Sequence, residues 1–342
     1  MKLKYCLLNI NNGKLNRSSG IRGYFIKFFV YSGVTFLSLF LGYCDENVDP
    51  KAPFKERYIF NLVIRGDTTY QIATLTKSYT VEGLDPYENQ VDPAIKDADI
   101  RVWSKDDVYI MRDTAVARQD TSRYKTPVNF YYIKNFTPVS ETPIDVRVEL
   151  NNGRILTAST KIPAKMDIDS VDLLIPSKDK PNFSYVWKNN DGGTFYLYRF
   201  RFYYTFTDNS KVTWFIKEVP LTYIKSGTEY YPYFPSITKN TNVFYDNSAL
   251  DSAMVQISKG VIDKSKFEIK KAEFEVLIFD KVLSDYYSST HSYLDDYSVR
   301  IDQTDYTNIN GGYGVFASYL DQKINVEFTE KYVMSFGYKY GF

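Results

Sequence analysis

The chain has 342 residues, 42 basic against 41 acidic side chains, one histidine, two cysteines, and an aromatic content of 17% supplied mainly by 32 Tyr and 24 Phe. So even a charge balance excludes the basic footprint of a nucleic-acid binder. Two cysteines and one histidine are fewer donors than a zinc site ordinarily draws on, and any Ser-His-Asp triad would have to use His291.

The first 43 residues hold six basic side chains (Lys2, Lys4, Lys14, Arg17, Arg22, Lys27) and no acidic one, and they end in an apolar run over 28–41, just before Cys44. A basic start followed by an apolar stretch shorter than the roughly 20 residues of a bilayer span reads as a secretory leader. Leu41-Gly42-Tyr43-Cys44 is similar to the bacterial lipobox, whose cysteine is acylated and becomes the new N-terminus, with Tyr43 standing where a small residue is usual. The expectation is a signal peptide over 1–43, lipidation at Cys44 and a tether over 44–57. Cys6 then leaves with the leader, and the remaining 36 basic side chains against 41 acidic give about −5.

About 300 residues beyond the leader exceed one ordinary core, so two domains are expected, 58–163 and 164–342. The first reads as short strands over 58–64, 70–79, 100–103 and 108–111, with a polar loop over 83–93 that carries Asp85-Pro86 and Asp92-Pro93. Ile144, Val146, Val148 and Leu150 alternate with charged residues, and Asn151-Asn152-Gly153 turns the chain into 154–158. Asn-Gly between alternating runs is the strongest short-range hairpin signal. Short strands punctuated in this way predict an immunoglobulin-like β-sandwich.

Three prolines over 163–181 bracket a short apolar strand at 171–175 and mark the expected boundary. Beyond it, Tyr196, Tyr198, Phe200, Phe202, Tyr204 and Phe206 line one face of a strand over 194–206, and Asp208-Asn209-Ser210 turns it into a partner over 212–219. Period two over that length is a strand signature. Tyr230-Tyr-Pro-Tyr-Phe-Pro235 reads as a loop or an edge, since proline lacks a ladder donor. Further strands are expected at 267–279 and 324–328. Between them Leu283, Tyr287, Leu294 and Tyr297 recur at helical steps, predicting one amphipathic helix near 284–297 capped by Ser284 and carrying His291 as a partly exposed residue. The fold class is therefore all-β: an N-terminal immunoglobulin-like sandwich, then a larger antiparallel β domain with one helix.

Asn308-Ile-Asn-Gly-Gly-Tyr-Gly-Val-Phe-Ala317, after a helix that begins Leu-Ser-Asp-Tyr-Tyr, resembles the C-terminal signature of "domain of unknown function 4249", a family of Bacteroidetes outer-membrane lipoproteins. Segments 62–64, 74–79, 97–102 and 153–163 resemble its N-terminal pattern, and Asp45-Glu46 resembles the acidic stretch that directs such lipoproteins to the cell surface. The resemblance implies a lipid-anchored protein, surface-exposed or periplasm-facing, that assists a TonB-dependent outer-membrane transporter in capturing a nutrient. It carries over no catalytic residues. Gly311, Gly312 and Gly314 read as backbone joints.

No catalytic constellation, cofactor motif or metal set is legible. Carboxylate pairs abound (Asp167 with Asp169, Glu273 with Glu275, Asp295 with Asp296), and Asp92, Asp97 and Asp99 lack the ordered spacing of a calcium loop. The expected contacts to ligand or transporter are the aromatic residues Tyr230, Tyr231, Tyr233, Phe234 and Tyr245. Two other classes stay open: a structural or adhesive surface protein, and a glycan hydrolase.

Overall fold

Strands β1 (Tyr58–Arg65) and β2 (Gln71–Lys77) begin a run of alternating buried and exposed positions, with Tyr58, Phe60, Leu62 and Ile64 all turned inward. Successive strand side chains point to opposite faces, so such a pattern buries one face. The computed structural model describes residues 53–83, 85–176, 180–188, 194–290 and 306–342. The expected leader, Cys44, His291, the pair Asp295–Asp296 and the helix expected beyond residue 290 lie outside them. Lys55–Phe342 forms one compact unit.

Five strands continue the first part: β3 (Asp99–Ser104), β4 (Asp107–Val116), β5 (Val128–Ile133), β6 (Pro143–Glu149) and β7 (Ile155–Lys161). They are ordered β1-β2-β5-β4-β3-β6-β7. The first half of β4 pairs with β3 and its second half with β5, so β4 passes from one layer to the other. Inward residues of both layers, among them Phe60, Tyr131, Ile100, Val146 and Leu156, meet in one core. This is the strand order of an immunoglobulin-like sandwich. The β6–β7 hairpin turns at the Asn-Gly, where Gly153 takes φ 79°.

A second core follows. It lies between the antiparallel run β12 (Lys211–Val219), β11 (Tyr196–Asp208), β16 (Phe267–Phe279) and β17 (Tyr313–Phe328), and a smaller sheet of β15 (Asn242–Asp246), β10 (Asn182–Lys188) and β8 (Asp167–Val171). Its centre is aromatic. Tyr185 stacks on Phe274 with ring centroids 3.8 Å apart and planes 5° from parallel. The even-numbered aromatics of β11 face this core as expected. A two-residue β9 (Leu174–Ile175) pairs with the end of β17. The single strand expected at 171–175 is thus broken: Val171 ends β8, and β9 joins a different sheet.

β17 joins the two cores. Its first half pairs in parallel with β1, Ile59 opposite Tyr313, and its second half pairs antiparallel with β16. Phe316 belongs to the first core, while Leu320, Val326 and Phe328 belong to the second. Gly314 permits that junction. It sits at φ +107°, and a Cβ there would lie 2.0 Å from the carbonyl oxygen of Phe60. Asn308 folds the preceding loop back like an extra strand: its amide donates to Phe316 O at 2.8 Å, and Phe316 N donates to Asn308 Oδ1 at 2.9 Å. The glycine-rich motif is a backbone joint.

Three α-helices occur among the described residues, where the sequence reading expected one: α1 (Asn247–Ile257), α2 (Lys281–Thr290) and α3 (Glu330–Ser335). α2 begins before Ser284, because Asp280 caps it. Leu283 N donates to Asp280 Oδ1 at 2.6 Å, which satisfies an orphan N–H of the first turn. Ser284 lies inside the helix, where its hydroxyl donates to Asp280 O at 2.7 Å and accepts from Phe195 N at 3.1 Å. Asp280 also accepts from the Thr160 hydroxyl of β7 and from Ser318 N of β17 at 2.9 Å. Burial outweighs these donors and pushes its carboxyl up to about 6. A terminal pair, β18 (Lys339–Tyr340) beside β16, completes the sheet. No helix among the described residues is long and apolar enough to cross a membrane.

Candidate functional site

β13 (Thr222–Ser226) and β14 (Glu229–Tyr233) form a two-stranded ribbon apart from both larger sheets. Gly227 at φ 63° makes its turn. Pro232, opposite Tyr223, is tolerated because a ribbon of two strands leaves each with an outer edge that needs no donor. Thr222 and Ile224 pair with Tyr233 and Tyr231, so Ile224, Tyr231 and Tyr233 share one face, while Tyr230 lies on the other with Lys225, whose ammonium sits 5.9 Å from the ring centroid.

The ribbon buries none of these rings. Tyr230 is 63% exposed, Tyr231 52%, Tyr233 48% and the following Phe234 42%. Tyr231 hydroxyl donates to Glu229, and that bond raises its pKa. The root is fixed: Leu221 N donates to Tyr233 O at 2.8 Å, and Gln256 of α1 donates to the Tyr223 hydroxyl at 2.8 Å while accepting from Lys217 of β12 at 2.7 Å. A ribbon held at its base and lined with rings offers large contact area at little entropic cost.

The structure brings four of the five expected contact residues together and removes the fifth. Tyr245 is 0% exposed, stacked on Phe183 at 5.2 Å in the second core. The reason is parity. On β15, Val243 and Tyr245 face inward, and Phe244 is the residue that faces solvent.

A charged face, of which the sequence reading named the Glu273–Glu275 pair but not its ion pairs, lies on the side of the β11–β16–β17 sheet away from the second core. Arg201 donates to Glu275 at 2.6 Å, Lys271 to Glu273 at 2.5 Å, and Lys323 contacts Asp321 at 3.1 Å and Glu275 at 3.5 Å. Burial would raise the Glu273 pKa, but hydrogen bonds from Lys271 and the Tyr203 hydroxyl hold it below the usual value. Tyr203 is pushed up to about 12 by burial and by the same bond. Glu273 and Glu275 sit side by side on one strand, each tied to cations, rather than facing each other across a cleft. Their signal was present as Glu-x-Glu opposite Arg-x-Arg in alternating strands.

Four of the other candidate carboxylates have local partners. Asp92 pairs with Arg118 at 2.5 Å, Asp99 with Arg101 at 2.6 Å, and Asp167 and Asp169 both approach Lys188 at 3.8 Å. Among the described residues no group of three or more His, Cys, Asp or Glu side chains is arranged to hold a metal.

Comparison of the chain with protein-family models and with curated proteins found no match.

Proposed function

We propose that this chain is a lipid-anchored outer-membrane protein, held through Cys44, that serves as a non-enzymatic binding accessory to a TonB-dependent nutrient transporter. The observation that carries the binding role is the ribbon β13–β14, on which Tyr230, Tyr231, Tyr233 and neighbouring Phe234 are exposed while the root is pinned to Leu221 and α1. Isolated exposed apolar residues are ordinary on protein surfaces, but several exposed rings gathered on the two faces and the end of one hairpin outside the larger sheets fit a docking role. The leader, the Leu-Gly-Tyr-Cys junction and the resemblance of the Asn308–Ala317 motif support the location and the transporter partner. Its ligand is the transporter surface or the nutrient that the transporter carries.

The test is affinity purification of the full-length protein from its native envelope in mild detergent, with partners identified by mass spectrometry. A TonB-dependent transporter recovered in stoichiometric amount is the expected result. Recovery of the protein without a transporter would defeat the proposal.

A further inference from the structure

Strand β12 ends its sheet: among the described residues it pairs with β11 alone. Nine residues long, it contains no proline, and its register with β11 is unbroken. Natural edge strands are usually kept short or blunted by bulges and prolines. Here Lys211, Lys217 and Glu218 charge the ends of the edge, but its middle is apolar. Val212, Trp214 and Ile216 point to one face, 55%, 61% and 57% exposed, and Phe215 to the other.

Which backbone groups are free follows from the hairpin. Asn209 and Ser210 at φ 46° and 66° form a two-residue turn, closed by the pair Asp208–Lys211. In such a hairpin the closing pair is hydrogen-bonded, and bonded pairs alternate along the ladder. The odd-numbered residues of β12 therefore bond to β11, and Val212, Trp214, Ile216 and Glu218 direct their N–H and C=O groups outward.

We propose that this edge pairs with the same edge of a second copy of the chain, antiparallel about a two-fold axis at Phe215, so that one sheet runs through both. An isologous contact of this kind needs a self-complementary strand. Antiparallel continuation of the sheet sets even residues opposite even ones, which allows only a few registers. Centred on Phe215, Trp214 lies opposite Ile216 of the other copy, twice over, and Val212 opposite Glu218. Aromatic against β-branched is a favourable cross-strand pair. A two-fold axis at Trp214 would instead set Lys211 against Lys217 twice, and like charges directly opposed are unfavourable. An axis at Ile216 sets Trp214 against Glu218 and keeps no Trp–Ile pair. The pairing draws on β12 and not on the β13–β14 rings, so it stands independently of the transporter proposal.

The experiment is oxidative cross-linking of the full-length protein, purified in mild detergent, as Phe215→Cys and as Thr213→Cys, with wild type run alongside to account for Cys6 and Cys44. Phe215 faces its own copy at a non-hydrogen-bonded position, within disulfide reach. Thr213 lies opposite Lys217, displaced from its own copy by about 14 Å along the strand. Phe215→Cys is expected to form covalent dimer roughly tenfold or more faster than Thr213→Cys. Sedimentation velocity should give a dimeric protein mass for wild type, and Trp214→Lys, exposed and thus tolerated by the fold, should weaken it about tenfold or more. A monomeric wild type, equal cross-linking of the two cysteine variants, or capture of a different polypeptide by Cys at 215 would each overturn the proposal.

Discussion

Asp280, at the junction of β16 and α2, accepts a hydrogen bond from the hydroxyl of Thr160, at the end of β7 and 120 residues earlier in the chain. The same carboxylate accepts from Ser318 of β17 and from the first turn of α2. One buried group therefore ties the rim of the first core to the helix and strand that border the second. Its folded pKa, about 6, lies above the ordinary carboxyl value of 3.8. The sign follows by linkage: the folded state holds the proton more tightly, so this contribution to stability is complete below about pH 4 and is lost as pH rises toward 6. Urea unfolding of wild type and Asp280→Asn should show the stability difference between them changing by about 2–3 kcal/mol across pH 4–7, wild type losing ground as pH rises. A parallel pair of curves would refute this assignment.

Glu273 behaves in the opposite sense. Its pKa is held down by Lys271 and Tyr203 despite burial. Its stabilising share is present above the ordinary Glu value and is lost as pH falls through the depressed folded value. Glu273→Gln should flatten the acid limb of stability below about pH 4.5. At neutral pH it should also cost about 1 kcal/mol, since it replaces the charged acceptor of the Tyr203 and Lys271 bonds by a neutral one while the half-exposed Lys271 ammonium stays hydrated. Denaturant midpoints at pH 3, 5 and 7 test both parts.

Gly314→Ala is expected to destabilise the chain by about 2 kcal/mol or more, because the backbone is in the left-handed half of φ space and the methyl would enter the Phe60 carbonyl. Thermal unfolding measures it. A variant as stable as wild type would mean that the β1–β17 junction is not built as described.

Tyr245→Ala and Tyr231→Ala should separate core from surface. The first removes a fully buried ring from an aromatic stack and should cost about 3–5 kcal/mol. The second, alone or with Phe234→Ala, should shift stability by no more than about 0.5 kcal/mol. Comparable losses in both would place the ribbon rings in a packed interior.

Cys44→Ala should abolish incorporation of radiolabelled palmitate and move the protein out of the membrane fraction, while Cys6→Ala should change neither. Labelling that survives Cys44→Ala would remove the lipid anchor from the proposal.

Local chemistry wrote much of the fold into the chain. The Asn-Asn-Gly turn between β6 and β7, the aromatic alternation of β11 and the run of β16 are visible because strand period and turn residues are properties of neighbouring positions. The β1–β17 pairing is not, since residues 254 apart leave no local trace of being partners. α1 had a readable stripe, Ala249, Leu250, Ala253 and Met254, but it is brief and follows directly on a strand. The helix cap was misplaced by a serine that competes poorly with a carboxylate four residues earlier. Of the expected contact residues, those beside Pro232 were legible because proline keeps them off a central strand. Tyr245 was lost to the parity of β15, where a one-residue change of face decides burial.

The most direct test of the binding role is quantitative recovery of partners from the native envelope by wild type and by the Tyr231→Ala, Phe234→Ala double variant, at matched expression and matched melting temperature. If the ribbon docks on a TonB-dependent transporter, wild type retains that transporter and the variant loses at least about nine-tenths of it, a change worth about 1.4 kcal/mol or more in binding. Equal recovery by both proteins, or no transporter with either, would contradict it.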